Sequence, residues 1–249
     1  MHEFAFYCDA LSSSMIHKPC SLVIDNKLLF HRLTQVVRLN RGDKLILFDQ
    51  HIQVKALFAG CQGTHLLFNE CVWQKTEPRH TTITFLLPLL KKDECQQAIY
   101  GLTEVGVEHI QLLITERIHR SWWTGGHDHD RLERISIAAA EQAKNFIIPT
   151  ISSPAPLRTV LDQFTSHTDF FRYFFDQSGM PLKKWHETCL GAPTPAKIIA
   201  TVGPEADFTN QEKELLRKAQ FSLLKLTPTV LRAFQAATFG AAILRSFFS

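Results

Sequence analysis

The chain has no apolar run long enough to span a bilayer, which takes about 20 residues in a helix. Its longest apolar stretches, Ile83–Leu90 and the tail from Phe234, are short or are interrupted by polar residues. The amino terminus, with His2 and Glu3, lacks a basic segment followed by an apolar one, so the sequence predicts no secretory signal. We therefore expect a cytoplasmic protein that does not contact a membrane.

Closely spaced cysteine pairs are also missing. The six cysteines are scattered and form no CxxC pair, a pattern typical of reduced thiols in the cytosol. The hydrophobic fraction of 45% and the charged fraction of 20% are ordinary for a globular protein. The cysteines are Cys8, Cys20, Cys61, Cys71, Cys95 and Cys189.

Several common signatures of nucleotide sites and hydrolases are absent. The chain contains no GxGxxG, GxxxxGK[ST] or GxSxG pattern. Nothing in it therefore indicates a dinucleotide fingerprint, a P-loop or a nucleophile elbow. The net charge of +3 is too small to identify a nucleic-acid partner. Composition alone leaves RNA, protein and small-molecule partners open.

The sequence divides into two parts that differ in their pattern of apolar residues. Up to about Trp73 the apolar runs are short and separated by turn residues, which predicts a small β-rich domain over 1–73 with one helix, Leu29–Leu39. The polar segment Gln74–His80 contains Pro78 and is the predicted linker (74–80). The predicted strands of this domain are Leu45–Phe48, Val54–Phe58 and Leu66–Trp73.

Over 81–249, apolar strands alternate with amphipathic helices, which predicts a parallel α/β sheet with helices on both faces. Gly106 closes one helix in a left-handed cap, and Thr209 with Glu212 forms a capping box that opens another. The predicted strands are Ile83–Leu87, Ile110–Thr115, Asp169–Phe175, Ile198–Val202 and Ser222–Leu226, and the predicted helices are Asp93–Glu104, Arg131–Lys144, Thr209–Ala219 and Leu231–Phe247.

One candidate surface lies in Phe30–Lys44. On a helix with about 100° per residue, Phe30, Leu33, Val36 and Val37 share an apolar face and polar residues cluster opposite. That polar face is compatible with phosphate contacts, but the pattern on its own favours an ordinary solvated helix face. The polar and basic residues are His31, Gln35 and Arg38, followed by Arg41 and Lys44 in the next turn.

Two further candidates are strand ends. At Ile198–Phe208 an apolar strand ends in Gly-Pro-Glu, and ligands of parallel α/β sheets bind outside the carboxyl ends of the strands. Glu205 would repel a phosphate and suits a ligand with amines or a sulfonium. At Leu226–Ala237 a second strand ends before a helix with Arg232 in its first turns, which opposes the helix dipole. A plain turn and a surface arginine are the alternatives.

The sequence His127-Asp128-His129-Asp130 contains residue types that can bind a metal ion. Neighbouring loop residues need not point to one centre, however, and no distant cysteine or histidine pattern completes a site. We interpret these residues as an acidic loop that caps the helix starting at Arg131 and predict no metal.

Five segments in order resemble one family, the SPOUT methyltransferases that modify N3 of a uridine in 16S ribosomal RNA (the ribosomal RNA small subunit methyltransferase E family). His31–Gln50 is similar to its HLxxVLRLxxGDxxxxFDG pattern, and Leu102–Arg117 to ATELGVxxIxPLxSER. Arg134–Gln142 resembles the IAxEAAEQ helix, Thr201–Phe208 the IGPEGGF loop and Leu226–Ala237 the LGPRILRTETA segment. Together these segments cover nearly the whole chain.

The resemblance implies a PUA-like RNA-binding domain followed by a trefoil-knotted methyltransferase domain, a homodimer, and ribosomal RNA or the small subunit as partner. It implies S-adenosylmethionine as cofactor and no metal. Arg232 and Glu205 are the catalytic candidates, Arg232 to orient the uridine or its phosphate and Glu205 to handle the cofactor or a proton. His31, Gln35, Arg38, Arg41 and Lys44 would bind RNA. The implied cofactor residues are Val202, Gly203, Pro204, Glu205, Leu226, Thr227, Val230 and Leu231.

The chain departs from the family pattern at several positions. Ala206 and Asp207 replace two glycines of the GPEGGF loop, and Ala233–Gln235 replaces Thr-Glu-Thr. Gly101, Asn145 and Ile147 stand where basic residues are usual. These changes leave two alternatives: a catalytically degenerate RNA-binding protein of the same fold, and an unrelated α/β enzyme acting on a small metabolite.

Overall fold

In the computed structural model, which describes residues 3–9, 11–14, 20–118, 123, 125–164, 169–190 and 194–248, the chain separates into two units. The amino-terminal unit comprises Met1–Pro78 and Ala140–Ile148, and the carboxy-terminal unit comprises Arg79–Ala139 and Pro149–Ser249. Met1 and His2, which enter the prediction about a secretory signal, lie outside the described residues. No helix in the described ranges is both long and apolar enough to cross a membrane.

A five-stranded mixed sheet forms the amino-terminal unit. Its strand order is β1-β3-β4-β5-β2, with β1 parallel to β3 and the other pairs antiparallel. Alternate residues of β2 and β4 are buried, so one face of the sheet packs on the core. The elements are β1 Phe4–Tyr7, α1 Leu11–Ser14, β2 Ser21–Asp25, α2 Lys27–His31, a π-helix Arg32–Val36, β3 Lys44–Phe48, β4 Ile52–Gln62 and β5 His65–Lys75.

The three strands predicted for this unit are confirmed, but the helical prediction is wrong in one respect. Val36, placed on the apolar face by the 100° wheel, is 64% exposed, whereas Leu33 is buried. The segment is a π-helix, in which the amide of Val37 donates to the carbonyl of Arg32 five residues earlier (2.9 Å). The wider turn rotates the following residues away from their α-helical positions, so Val36 faces solvent.

Residues 140–148 group with the amino-terminal unit, although the predicted boundary assigned them to the second domain. Glu141 explains part of this arrangement. Its carboxylate accepts a hydrogen bond from the Tyr7 amide (2.8 Å) and forms a two-pronged ion pair with the Arg32 guanidinium, with nitrogen–oxygen distances of 2.9 and 2.5 Å. The ring of Phe146 also packs edge-on against Phe48.

A six-stranded sheet forms the carboxy-terminal unit, and the predicted parallel α/β fold is confirmed. The strand order is β11-β9-β10-β6-β7-β8, and every neighbouring pair is parallel. The elements are β6 Thr82–Pro88, α3 Lys92–Glu104, β7 His109–Ile114, α4 Gly126–Ala143, β8 Thr150–Pro156, α5 Leu157–Phe164, β9 Phe170–Pro181, α6 Leu182–Cys189, β10 Lys197–Val202, α7 Asn210–Lys218, β11 Ser222–Lys225 and α8 Ala233–Phe247.

Buried side chains cover both faces of this sheet. Phe85 and Ala200 belong to a core cluster that includes residues of α3 and α8. Their neighbours along the strands, Leu86 and Ile199, belong to a second cluster with residues of α5 and α7. Because successive residues of a strand point to opposite faces, the two clusters place helices on both sides of the sheet, as predicted.

Helix α8 packs closely on both α3 and the sheet. A Cβ added to Gly101 would overlap the side chain of Thr238, and one added to Gly240 would overlap the Phe175 ring. These glycines therefore permit a helix–helix and a helix–strand approach that any larger residue would obstruct. The predicted helical caps are also present, with Gly106 at φ 81° and a complete Thr209–Glu212 capping box.

Several elements were not predicted. Strand β8 contains Pro154 and Pro156, which in a sequence indicate a loop. Proline is tolerated in an edge strand, and β8 lies at the edge of the sheet. Helix α5 does carry a helical signal, with Leu157, Val160 and Leu161 buried along one face. The remaining elements missed from the sequence are β1, β2, α1 and α6.

Candidate active site

A cavity of about 650 Å³ lies at the carboxyl ends of β9, β10 and β11. Three chain segments form its walls, one following each strand, as expected for a ligand site in a parallel sheet. The lining residues are Phe175, Asp176, Gln177, Ser178, Val202, Gly203, Pro204, Glu205, Asp207, Lys213, Leu226, Thr227, Val230, Leu231, Arg232, Ala233 and Ala236.

The turn after β10 is held in one shape by its own hydrogen bonds. The Asp207 amide donates to the Pro204 carbonyl (2.8 Å), and the Asp207 carboxylate accepts from the Phe208 amide (2.7 Å). Asp207 has a φ of 58°, in the left-handed region that glycine favours and that aspartate tolerates better than most residues. Arg117 reaches the outer side of the turn and donates to the Ala206 carbonyl (2.7 Å). The departure from GPEGGF at this position therefore keeps the backbone conformation of a glycine.

The segment after the first half of β9 leaves the sheet to form the second wall. Pairing with β10 ends at Phe175, and pairing with β11 resumes only at Met180. Between them, the Asp176 carboxylate accepts hydrogen bonds from the Ser178 amide (2.8 Å) and hydroxyl (2.6 Å). Gly179 lets the β11 backbone pass closely, since a Cβ there would lie 2.5 Å from the Leu224 nitrogen. The predicted strand Asp169–Phe175 thus continues into an interrupted strand that ends at Pro181.

The side chain of Lys213 joins the first two walls through ion pairs. The Lys213 ammonium lies 3.3 Å from Asp176 Oδ2 and 2.7 Å from Asp207 Oδ2. Burial by itself raises the pKa of Asp176, but hydrogen bonds from Ser178 and the charge of Lys213 outweigh it and hold the pKa below its usual value. Asp176 is therefore a stable anion in the cavity wall.

The third wall is the segment between β11 and α8. Thr229 anchors it, because its carbonyl accepts hydrogen bonds from Gln177 Nε2 (2.7 Å) and from the Thr227 hydroxyl (2.6 Å). Val230, next in the chain, is 81% exposed, so a large apolar side chain stands free at this rim. An apolar group beside an open cavity is available to contact a bound molecule.

Glu205 and Arg232 lie where the walls meet the amino-terminal ends of α3 and α8. Burial raises the pKa of Glu205 to about 7, with further contributions from a hydrogen bond and the negative charge of Glu94. Arg232 is the N-cap residue of α8, and its side chain is 72% exposed. Its Nη1 lies 4.0 Å from Glu94 Oε1, so the guanidinium is close to the Glu94 carboxylate without a tight bond to it.

The structure brings every residue of the implied cofactor set, together with Arg232, to this one cavity. Their assignment to a cofactor stays a prediction. Sequence reasoning missed Asp176, Gln177, Ser178, Asp207 and Lys213. A signal for three of them exists, because Asp-Gln-Ser-Gly directly follows the apolar run that ends at Phe175.

The predicted RNA-binding residues lie on the amino-terminal unit and are all exposed. Arg38 has a φ of 58°, and its Nε donates to the Gln35 carbonyl (3.3 Å). Arg32, between His31 and Gln35, is instead engaged by Glu141. The structure describes a solvated surface formed by His31, Gln35, Arg38, Arg41 and Lys44, and its binding to RNA stays a prediction.

The interpretation of His127–Asp130 as a capping loop is wrong, because α4 already begins at Gly126. In the helix His129, Asp130 and Glu133 offer ligand atoms within 4.8 Å of one another. The Nε2 of His129 is, however, 2.8 Å from the Ile151 carbonyl, and its Nδ1 is 3.5 Å from Glu133. These contacts give the histidine a structural role in joining α4 to β8.

The fold and the cavity define the class of the protein: a parallel α/β protein with a cavity at the carboxyl ends of three strands. Residues 77–245 match the family described as an RNA methyltransferase domain. The chain belongs to this family, which confirms the resemblance read from its sequence.

Similar proteins support the same assignment. The ribosomal RNA small subunit methyltransferase E of Synechocystis sp. is 26% identical over 222 residues, which cover 85% of this chain and 69% of that protein. The ribosomal RNA small subunit methyltransferase E 2 of Borreliella burgdorferi is 23% identical over 229 residues, covering 90% of this chain and 91% of that protein.

Among solved structures, the ribosomal RNA small subunit methyltransferase E from Neisseria gonorrhoeae bound to S-adenosyl methionine has a TM-score of 0.81 at 19% identity. A Legionella pneumophila protein described as a methyltransferase, in complex with the bound cofactor SAM, has a TM-score of 0.78 at 20% identity. Each alignment covers 99% of this chain and 98% of the other. At these identities the likeness establishes the fold.

Proposed function

We propose that this protein is an S-adenosylmethionine-dependent methyltransferase that methylates N3 of a uridine in 16S ribosomal RNA. Membership in the RNA methyltransferase family confirms the predicted class of enzyme. The observation that carries the finer proposal is the cavity, where the GPEADF turn and the segment containing Arg232 meet. These two segments are the ones that resemble uridine-N3 methyltransferases.

The cavity fits the cofactor in size and charge. Its volume of about 650 Å³ lies within the range of roughly 300–1,000 Å³ that is usual for small-molecule sites. Asp176, Glu205 and Asp207 line it together with the cations Lys213 and Arg232. A carboxylate-rich wall suits a ligand with an ammonium and a sulfonium group, and the proteins from Neisseria gonorrhoeae and Legionella pneumophila were solved with this cofactor bound. Backbone groups of Val202, Gly203, Leu226, Thr227 and Leu231 would hold its adenine and methionine parts.

When bound, the cofactor supplies an electrophilic methyl group, and the residues of the chain position the uridine and manage charge. Methyl transfer is an in-line displacement, so positioning is the main task of the protein. The exposed guanidinium of Arg232 would orient the uridine or its phosphate and stabilise the negative charge that develops when N3 loses its proton. No metal is part of the proposal.

We assign RNA positioning to the amino-terminal unit, as a PUA-like domain. Its surface of His31, Gln35, Arg38, Arg41 and Lys44 is exposed and offers cations for phosphates. The partner is then ribosomal RNA or the small ribosomal subunit, which places the protein in the cytoplasm. We also propose that the carboxy-terminal unit contains the trefoil knot of the SPOUT fold, as the resemblance to that family implies.

We further propose that the active form is a homodimer. A second, mostly apolar cavity of about 570 Å³ lies between α3 and α8, and Phe239 at its edge is 47% exposed. Thr227 and Leu231 line this cavity as well as the first, so a partner seated there would adjoin the proposed cofactor site. Light scattering at micromolar concentration should give about twice the mass of the 28.4 kDa chain; a monomer at that concentration would count against the dimer.

One observation favours an alternative, a catalytically degenerate RNA-binding protein. Ala233, Phe234 and Gln235 stand where the family pattern has Thr-Glu-Thr, and these residues lie in the first turn of α8 beside Arg232. The deciding experiment is calorimetric titration with S-adenosylmethionine, followed by incubation with 16S RNA or small subunits and the labelled cofactor. Binding and transfer to one uridine support the proposal, and N3-methylation can be mapped as a stop in reverse transcription. RNA binding without cofactor binding would establish the alternative.

A further inference from the structure

Glu94 lies in the first turn of α3, with one carboxylate oxygen near Arg232 and the other buried. Its side chain is 19% exposed, and its Oε2 is buried without an N–H or hydroxyl donor among the residues that the structure describes. An ionised carboxylate oxygen can only accept hydrogen bonds, and leaving a buried one unsatisfied is unfavourable. A proton donor is therefore expected at this atom.

The neighbour that can supply the donor is Glu205. Partial burial, followed by a hydrogen bond with Glu94 and the negative charge of Glu94, raises the pKa of Glu205 to about 7. Two carboxylates can form a hydrogen bond only when one of them carries a proton. A protonated Glu205 would satisfy the buried Oε2 of Glu94, and the pair then has one negative charge in place of two.

We propose that Glu94 is a positioning residue for methyl transfer: it holds Glu205 in the cavity wall as the acceptor for the proton that leaves N3 of the uridine. This inference rests on the proposed function. Glu205 lines the cavity, whereas Glu94 stands behind it and acts through it. In the sequence Glu94 belongs to no recognised motif, and its role follows from where α3 places it.

The charges around the pair suit this role. Lys91, just before α3, favours the ionised form of Glu205, and Arg232 Nη1 lies 4.0 Å from Glu94 Oε1. Across the turn, Asp207 and Asp176 share an ion pair with Lys213, which offsets one of their two negative charges. The two cations keep a pair with one negative charge stable, while repulsion between the two carboxylates makes Glu205 a stronger base than an isolated one.

In the proposed reaction, uracil N3 loses a proton and gains a methyl group. The N3–H bond of uracil breaks, and its proton passes to the ionised carboxylate of Glu205. The electron pair left on N3 forms the bond to the methyl carbon, and the carbon–sulfur bond breaks with its electrons remaining on sulfur. Glu205, now protonated and hydrogen-bonded to Glu94, returns its proton to solvent before the next turnover.

The direct test is an NMR titration without cofactor or RNA, on protein carrying ¹³C-labelled glutamate carboxyls, with the Glu205 signal assigned through Glu205→Gln. In Glu94→Gln the amide can donate to the Glu205 carboxylate, so the titration midpoint should fall by about one pH unit or more. Asp93→Asn is the matched control, because it removes an exposed carboxylate one residue away. The same midpoint in wild type and Glu94→Gln would overturn the proposal. If Glu94→Gln does not fold, Glu94→Ala removes the same repulsion and should lower the midpoint too.

A second measurement separates this inference from the proposed function. The acidic limb of the pH profile of kcat/KM with 16S RNA should move to lower pH in Glu94→Gln, and the plateau rate should fall by roughly tenfold, since the base is weaker. A variant that only binds cofactor more weakly, with an unmoved profile, would make Glu94 a cofactor contact and refute the proton role. Methyl transfer by wild type with an unmoved NMR midpoint refutes this inference alone. Absence of transfer by wild type refutes the proposed function and, with it, the catalytic role of the pair.

Discussion

The cavity of the carboxy-terminal unit and the basic surface of the amino-terminal unit present their functional residues in opposite ways. In the cavity, three strand ends converge, and hydrogen bonds accepted by Thr229, Asp176 and Asp207 hold the walls in place. On the basic surface, His31, Arg41 and Lys44 are exposed side chains at the end of α2, in a turn and at the start of β3. Convergent, braced groups can fix one small ligand, whereas separate exposed cations suit an extended polyanion. The comparison implies that substitutions should separate catalysis, cofactor binding and RNA affinity.

The sharpest test is Arg232→Ala. If Arg232 faces the reacting groups as proposed, methyl transfer to 16S RNA should fall by about 100-fold or more, with RNA affinity largely kept. Arg217→Ala is the control, because Arg217 is an exposed arginine of the same unit that pairs with neighbouring Glu214 on the surface. Single-turnover rates and filter binding measure the two effects. Equal losses of methyl transfer and RNA affinity would show that catalysis and RNA binding are not separated between the two regions. Full activity would show that the segment after β11 has no catalytic role.

Next in size is Gly203→Val. The new Cβ would lie 3.1 Å from Asp207 Oδ1, and the two methyl groups beyond it would occupy the cavity at the turn. We expect S-adenosylmethionine affinity to fall by at least about tenfold, so that saturating cofactor no longer raises the melting temperature. Gly126→Val is the control, since a Cβ there meets nothing within 4 Å. An unchanged thermal shift in Gly203→Val would remove this turn from the cofactor site.

A smaller effect is expected on the basic surface. Arg38→Ala combined with Arg41→Ala should weaken 16S RNA binding by roughly tenfold and lower the salt dependence by about one ion per contact. Cofactor affinity should stay the same. Lys55→Ala with Lys75→Ala removes the same charge from exposed positions on β4 and β5. If both double variants lose affinity equally, RNA responds to net charge and the named surface has no special role.

The smallest effect concerns stability. Glu205 has its pKa raised from 4.5 to about 7, so between these values the folded state binds more protons than the unfolded state. Its contribution is therefore fully present below pH 4.5 and is lost as the pH rises toward 7. Relative to wild type, Glu205→Gln should gain stability between pH 5 and pH 8, by less than about 1 kcal/mol because the group is only partly buried and solvent screens it. Urea unfolding at the two pH values measures it.

Glu214→Gln provides the control of opposite sign. Hydrogen bonds and charge from Arg217 lower the pKa of Glu214, so its contribution is present at high pH and is lost as the pH falls. A relative gain for Glu214→Gln at pH 8 would show that the unfolding data do not report single carboxylates.

The cavity could be predicted where local sequence signals coincide with its walls. Gly-Pro-Glu after an apolar strand and Thr-Pro-Thr before a helix mark two walls, and both lie where the alternation of strands and helices puts them. The third wall was missed because β9 continues past its interruption to Pro181, and nothing local shows where pairing stops and resumes. Glu94 was missed for a different reason: only the packing of α3 places it behind Glu205. In the amino-terminal unit, the α-helical wheel placed Val36 on the wrong face because no known sequence pattern indicates a π-helix.

The interruption of β9 also places neighbouring residues of one strand under different evolutionary constraints. Asp176 to Gly179 lie outside the ladder, whereas Tyr173 and Phe174 before them pair with both neighbouring strands. Substitutions at Gln177 and Ser178 can therefore accumulate during evolution without disturbing the sheet, while Gly179 is fixed by the backbone of β11 beside it. The amides of this short segment should also exchange with deuterium faster than those of β9 on either side, and a ligand seated in the cavity should slow that exchange.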